Sequence, residues 1–383
     1  MTVRILHCHS TFALGGKEAR AVRLMNAFGS AAEHVILTSM PGEIAAREGI
    51  ERGIKADFPT DAPPLKGGPG FSRLFRLARY MRRFDLVLTY NWGAFDAVMA
   101  RYLFARAGKM PPLVHHEDGF NADEAGELKG RRNFYRRLAL SAAHRLVVPS
   151  EKLEAIARKA WGQPAERIER IGNGIDLAPY AVPAAEDSIP GLVRREGEIL
   201  IGTLAGLRPV KNLPRLVRAF AAMQMKNSRL VIVGQGPESE RIADEARARG
   251  VADRVLMPGF LADPARYVGR FDIFALSSDS EQFPISLVEA MAACLPAVAT
   301  AVGDIPTMVS ADNRPLIVDP GDEAAFTAAL DSLAERPDLR RAIGRANREK
   351  AEAEFDGEKM IARYARLYGE AIGDPRAFIP ATA

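Results

Sequence analysis

The sequence predicts an α/β protein made of two doubly wound halves, each a parallel sheet with helices on both faces. Three observations carry that expectation. Short β-branched apolar runs alternate with longer helical segments, the pattern of strand–helix–strand units. A stretch rich in proline, glycine and charge, residues 177–197, interrupts the alternation once. The alternation then restarts over a second half of similar size.

The first half has strand candidates at residues 3–9, 34–39, 85–90, 113–117 and 145–149, with helices between them, the first from about Lys17. The second half has them at 198–204, 229–233, 254–258, 272–276, 296–300 and 315–318, with helices from about Asn212, Glu238, Asp263 and Ser286. From Asp322 to about Ile372 the chain reads as mostly helical. The expected layout is a Rossmann-like domain over 1–178, a linker over 179–197, a second Rossmann-like domain over 198–360, and a closing helix and tail over 361–383. Two such domains facing each other make a cleft, and open α/β sheets bind ligands at the carboxyl ends of their strands.

Composition narrows the function. The 383 residues are 48% hydrophobic and 26% charged, with a net charge of +4, which excludes wholesale disorder and does not demand nucleic acid. Aromatics interleaved with basic residues as a nucleic-acid platform are absent. Cys8 and Cys294 are the only cysteines, too few for a disulfide framework or a Cys-rich zinc site, and fit a reducing compartment. The richest apolar run, 290–303, is broken by Pro296 and is too short to span a bilayer. The polar His7, His9 and Ser10 make the N-terminus a poor signal peptide. The chain is expected to be cytoplasmic, with peripheral attachment at the inner face of the membrane left open.

Six segments bear on chemistry. Gly15-Gly16 lies between the first strand and the first helix, where backbone can approach a ligand and the helix start offers free N–H groups to an anion; a plain turn is the alternative. Leu-Arg-Pro-Val-Lys-Asn at 207–212 puts Arg208 and Lys211 at the mouth of the second sheet, two cations suited to a diphosphate. Val-Ile-Val-Gly-Gln-Gly-Pro at 231–237 resembles a dinucleotide fingerprint but lacks its third glycine and its acidic residue, so its glycines read as serving a tight turn. The fourth and strongest segment is 279–292, where Glu281 and Glu289 flank Phe283-Pro284-Ile285-Ser286. There the helix-start amides could hold phosphate oxygens and the carboxylates could accept sugar or ribose hydroxyls. Ser286 and Glu289 also fit a capping box, which would make Glu289 structural. In the fifth, Val114-His115-His116-Glu117-Asp118-Gly119-Phe120, polar residues end a strand on the ligand side, but adjacent histidines point to opposite faces. No metal site is expected. The sixth, Phe71 to Phe84, reads as a basic amphipathic surface helix with a solvated arginine face, with contact to anionic lipid as the alternative.

Taken together and in order, these segments resemble the family 4 retaining glycosyltransferases of the GT-B fold. The resemblance runs over nearly the whole chain: Gly15-Gly16-Lys17-Glu18, Val114-His115 with Glu117, Asn173-Gly174-Ile175-Asp176, Leu207 to Lys211, Glu281 to Met291, and Gly303-Asp304-Ile305-Pro306. It implies a C-terminal domain that binds a nucleotide-sugar, an N-terminal domain that binds a sugar or lipid-linked acceptor, and last helices that cross back to the first domain. It implies that Lys211 meets the donor diphosphate, Glu281 the transferred sugar or nearby phosphate, and Glu289 the ribose. Gly15 and Gly16 would approach the diphosphate or sugar, and His115 the reacting carbon. Three positions depart from the family pattern. Gly206 stands where an arginine is usual, with Arg208 close by; Cys294 stands where glycine is frequent; Thr307 stands where glutamate often follows Gly-x-Ile-Pro.

The resemblance implies hexosyl transfer with retention, without metal or other cofactor, in surface polysaccharide or glycolipid synthesis. Lys211, Arg208 and helix-start amides can neutralise the leaving diphosphate. No residue presents itself as a covalent nucleophile, which favours a same-face route. A sugar-nucleotide epimerase of similar architecture and a non-catalytic sugar-nucleotide binding protein are the alternatives.

Overall fold

A computed structural model of the chain describes residues 2–13, 15–67, 70–119, 124 and 128–378. Two compact units form, one of Met1–Asn173 with Glu358–Ala383 and one of Gly174–Gly357.

The first unit is a seven-stranded parallel sheet in the order β3-β2-β1-β4-β5-β6-β7. Its strands are β1 (Val3–His9), β2 (Ala32–Thr38), β3 (Ala56–Asp57), β4 (Leu86–Tyr90), β5 (Leu113–His116), β6 (Arg145–Val148) and β7 (Ile168–Arg170). Helices α1 (Gly16–Phe28), α2 (Phe71–Met81), α3 (Phe95–Phe104), α4 (Gly130–Leu140) and α5 (Glu151–Lys159) connect them. The order reverses between β1 and β4, so the loops after these strands diverge and leave a crevice at their carboxyl ends.

The second unit repeats the plan with six parallel strands in the order β10-β9-β8-β11-β12-β13. They are β8 (Ile199–Leu204), β9 (Ser228–Val233), β10 (Val255–Gly259), β11 (Ile273–Leu276), β12 (Ala297–Thr300) and β13 (Ile317–Val318). Their helices are α6 (Leu213–Ala222), α7 (Ser239–Ala248), α8 (Ile285–Ala292), α9 (Ile305–Met308), α10 (Glu323–Glu335) and α11 (Pro337–Glu354). Periodicity explains α6: Leu213, Leu216, Val217 and Phe220 recur at helical spacing and are all buried against the sheet. The switch point here lies between β8 and β11. The chain returns to the first unit through α12 (Gly357–Ile372), whose Met360, Tyr364 and Tyr368 join the core beneath β1, β4 and β5.

Several expectations are corrected. Residues 179–197 are packed into the second unit, because Ile189 and Leu192 are buried in its core beside Val268 and Phe271; the chain changes units at 173–174 and 357–358. The helix expected from Asp263 is two short 3-10 turns, Pro264–Arg266 and Val268–Arg270, since Asp263 takes a left-handed φ of 52° and Tyr267 leaves helical geometry. The edge strands β3 and β7, of two and three residues, were not anticipated, being too short to show alternation. In α2, Leu74, Leu77, Ala78 and Met81 are buried while Arg76, Arg79, Arg82 and Arg83 are exposed, so it is a surface helix of the sheet. Arg73 departs from that solvated face: it is buried and donates to Leu65 O (3.2 Å) and to Asp96 (2.7 Å).

Candidate active site

In the second unit the loops after β8 and β11 straddle the switch point and are tied to each other. The Asp279 amide donates to Val210 O at 2.8 Å. The Ser277 hydroxyl donates to Lys211 O and Asn212 O, each at 3.0 Å. Asp279 takes hydrogen bonds from Asn212 Nδ2 at 3.1 Å and pairs with Arg215 at 2.7 Å. Asn212 itself sits at φ 43°, a left-handed turn that starts α6. This lacing fixes the backbone that carries Lys211 and Glu281.

The two side chains meet. Lys211 Nζ donates to Glu281 Oε1, and the Ser278 hydroxyl donates to the same oxygen at 2.7 Å. Both charged side chains are largely but not wholly buried, 15% and 10% exposed, so the pair lines the loop mouth rather than the core. The loop after β12 supports Glu281 from below. Gly303 has φ 60°, and a Cβ there would stand 2.2 Å from Glu281 O, so only glycine fits. Gly234 and Gly236 likewise let the loop after β9 cross the carbonyls of Ala205 and Leu207, where a Cβ would come within 1.8 and 2.5 Å. They serve close backbone packing, in keeping with the turn expected there.

Arg208 is exposed and has no carboxylate partner among the described residues; its Nε lies 3.6 Å from where a Cβ on Gly206 would be. Its guanidinium therefore occupies the neighbourhood of the position that lacks the family's usual arginine. Pro284, not Ser286, is the N-cap of α8, with φ −71°. The capping-box alternative is not formed, because the proline starts the helix early and places Ser286 and Glu289 inside it. Phe283 turns its ring edge-on to Phe355 at 5.4 Å, Pro284 is buried, and Ile285 packs on the core, so these three anchor the loop and leave the first amides of α8 as its offering to a ligand. Glu289 is half-buried and, after burial itself, helps push the Tyr267 hydroxyl above its ordinary value.

In the first unit Gly15 and Gly16 are exposed at the start of α1, after β1. Beside them Lys17 pairs with Glu18, and Thr11 Oγ1 donates to Glu18 at 3.4 Å. The structure does not bring His115 to this loop. Its side chain has no exposed surface, its Nδ1 meets Thr89 Oγ1 at 2.8 Å, and its ring lies edge-on to Phe95. Its Nε2 is 3.6 Å from Glu117, a fully buried carboxylate without a hydrogen bond that also lies 3.7 Å from Arg136 Nε. The imidazole is thus enclosed by Thr89, Phe95 and Glu117. His116 points the opposite way, to Tyr368 OH at 2.8 Å. Phe120 of the same segment lies outside the described residues.

The group found at the end of β5 is Asp118. Arg20 of α1 forks onto it at 2.6 and 2.9 Å and also donates to Asn173 Oδ1 at 2.7 Å. Burial works to raise the Asp118 carboxyl, but the Arg20 charge and hydrogen bonds outweigh it and hold the carboxyl below its usual value. Asn91, at φ 54°, accepts the Asp118 amide at 2.7 Å. Arg20 and Asp118 are 98 residues apart, and nothing local in the sequence marks them as partners. Among the described residues no three His, Cys, Asp or Glu side chains are grouped to hold a metal, and no helix is long and apolar enough to cross a membrane.

Comparison with known proteins agrees with this architecture. The family model for Glycosyltransferase Family 4 matches residues 4–179, and that for Glycosyl transferases group 1 matches 185–350. The chain is 29% identical over 215 residues to N-acetyl-alpha-D-glucosaminyl L-malate synthase of Bacillus anthracis, covering 56% of each chain. It is 25% identical over 408 residues to 2-deoxystreptamine N-acetyl-D-glucosaminyltransferase of Streptomyces fradiae, covering 96% of this chain and 94% of that one. The first curated relatives are matched over about half of their length. Anabaena Alr3699/HepE, crystallised with UDP, superposes with a TM-score of 0.77 at 20% identity over 96% of this chain and 100% of that one, a likeness that establishes the fold. Two family models that between them take in both sheets, on a GT-B framework, place the chain in the family 4 glycosyltransferases.

Proposed function

We propose that the protein transfers a sugar from a nucleoside-diphosphate-sugar to a hydroxyl acceptor, with retention of configuration, in surface polysaccharide or glycolipid synthesis. The observation that carries this reading is the meeting of Lys211 and Glu281 on laced loops at the switch point of the second sheet. Open α/β sheets bind ligands there, and the HepE structure of the same fold holds UDP.

The chain's own groups have clear parts. Lys211 and Arg208 take the diphosphate, aided by the amides at the start of α8. A diphosphate draws Lys211 off Glu281, and the freed carboxylate accepts hydroxyls of the sugar. Glu289 accepts the ribose hydroxyls, and Gly15 and Gly16 bring backbone to the sugar side. Cleavage of the sugar–phosphate bond leaves an oxocarbenium-like carbon while these cations neutralise the departing oxygen. The acceptor oxygen bonds on the same face, and its proton passes to the leaving phosphate oxygen. No metal is needed for that charge balance. His115 acts as a positioning residue, holding the end of β5 through Thr89, with Asp118 presented at the mouth.

Thermal shift with UDP, GDP and ADP tests the donor half: ligand bound to the native state raises the melting temperature by mass action. One diphosphate is expected to stabilise the protein, and Lys211→Ala to abolish that shift. Turnover of a donor to an epimer or free sugar, at the same rate with and without acceptor, would replace transfer by another activity.

A further inference from the structure

The first unit holds a cavity of about 1120 Å³ at the carboxyl ends of β1 and β4, between α2, α3 and α4. It is slightly larger than ordinary small-molecule sites. Two properties of its wall are unusual together. The first is charge: Lys17, Lys66, Arg73, Arg131 and Arg132 line it, against Asp96 as the one carboxylate among the described lining residues. Three of these cations are already engaged, Lys17 by Glu18, Arg73 by Asp96 at 2.7 Å and Arg132 by Glu124 at 2.8 Å. Lys66 and Arg131 are exposed and have no acidic partner among the described residues. The second is apolarity at the lip: Phe71 is 70% exposed, Met40 50% and Leu103 43%, with Trp92 and Phe95 further along the wall. Large apolar side chains gathered on one exposed rim mark a binding surface.

We propose that this cavity receives the acceptor, and that the acceptor is an anionic amphiphile. Its phosphate or carboxylate sits between Lys66 and Arg131, and its hydrocarbon part lies on Phe71, Met40 and Leu103. A neutral sugar would leave the two cations unmatched, and a small hydrophilic anion would leave the apolar lip in water. The inference rests on the transferase reading and names the class of its second substrate.

The chain contains an optical reporter for the test. Of its two tryptophans, Trp161 is fully buried and Trp92 lines the cavity beneath Arg132, whose guanidinium is 4.9 Å from the ring. Octyl phosphate, octyl glucoside and inorganic phosphate are titrated into the full-length protein while tryptophan emission is followed. Octyl phosphate is expected to bind at least ten times more tightly than either of the others, and Trp92→Phe to remove the signal. The double change Lys66→Glu with Arg131→Glu should weaken octyl phosphate at least tenfold and leave octyl glucoside unchanged; Phe71→Ser should weaken both. Both charge changes are at exposed positions, and a circular-dichroism melt verifies the fold, with Lys66→Gln and Arg131→Gln as milder replacements. Equal binding of octyl glucoside and octyl phosphate, or charge reversal without effect, overturns the proposal. So does binding of phosphatidylglycerol vesicles without binding of monomeric octyl phosphate, which would make the surface a membrane contact. None of these readouts involves UDP, so the donor assignment stands or falls separately.

Discussion

The two units share one topology and differ in what they bury. The second is closer to what a parallel sheet covered on both faces requires, with mostly apolar strands such as the wholly buried Ile199–Leu204 and Ala297–Thr300. Its few interior polar groups are mostly bonded, Asn313 and Asn347 closing a small network with the backbone of Ala297, Leu295 and Ser310. The first buries His7, His9, His34, His115 and His116, with Arg20, Arg136 and Glu117. Both ring nitrogens of His9 and both oxygens of Glu117 lack hydrogen bonds. Violations of the local rules concentrate where function constrains a fold. The contrast therefore assigns different tasks to the units: a stable cradle with its charges at the loop mouths, and a polar interior beneath a charged cavity.

Acidification would break this comparison most forcefully. Burial lowers His7 and His9 well below 6.5, His34 to about 4 and His116 to about 3, helped by neighbouring histidines at His7, by Lys17 and Arg20 at His9 and by Arg20 at His116. A folded-state value below the unfolded one means full stability above about pH 6.5 and progressive loss as pH falls toward those lower values. Each such group costs up to about 1.4 kcal/mol per pH unit in that window. Trp92 and Trp161 both lie in the first unit. The urea midpoint read by tryptophan emission should therefore fall by an amount equivalent to several kcal/mol between pH 7 and pH 5. Circular dichroism should retain a later transition from the second unit; coincident transitions at pH 5 would refute the difference drawn between them.

The next effect is catalytic. Lys211→Ala should lower kcat/KM at least 100-fold, corresponding to roughly 3 kcal/mol for a preorganised donor, while changing the melting temperature little. Unaltered transfer in both Lys211→Ala and Glu281→Ala would remove the cradle from the mechanism. Gly303→Ala should destabilise the second unit by about 2 kcal/mol through left-handed strain and collision with Glu281 O, seen as a lower melting temperature. The smallest effect is a gain. Cys294 is held at φ 58°, the left-handed region that glycine takes without strain, so Cys294→Gly should raise stability by about 1 kcal/mol.

Much of the framework was legible in the sequence because buried parallel strands are short apolar runs. The run Val3–His9 marks β1 at both ends. The edge strands β3 and β7 were missed because they are too short for a pattern. In the site, Lys211 and Glu281 could be read from motif order, and the left-handed turn at Cys294 matches a place where the family often has glycine. The Arg20–Asp118 fork could not be read, since it is made by tertiary folding across 98 residues. The enclosure of His115 is not legible in the sequence, because strand alternation gives a face and not the depth of what covers it. Thr89 and Phe95 supply that cover.

The outward and returning passages of the chain are clasped together. Ile175 donates to Phe355 O at 3.0 Å and accepts from the Gly357 amide at 2.8 Å, while a Cβ on Gly174 would stand 2.7 Å from Asp356 O. The second unit is thus an insertion whose entrance and exit are adjacent, as in a cassette held by a single clip. Such a module can be exchanged whole between relatives by splicing at two neighbouring points, giving the inserted unit a route to diverge while the host unit keeps its own sequence.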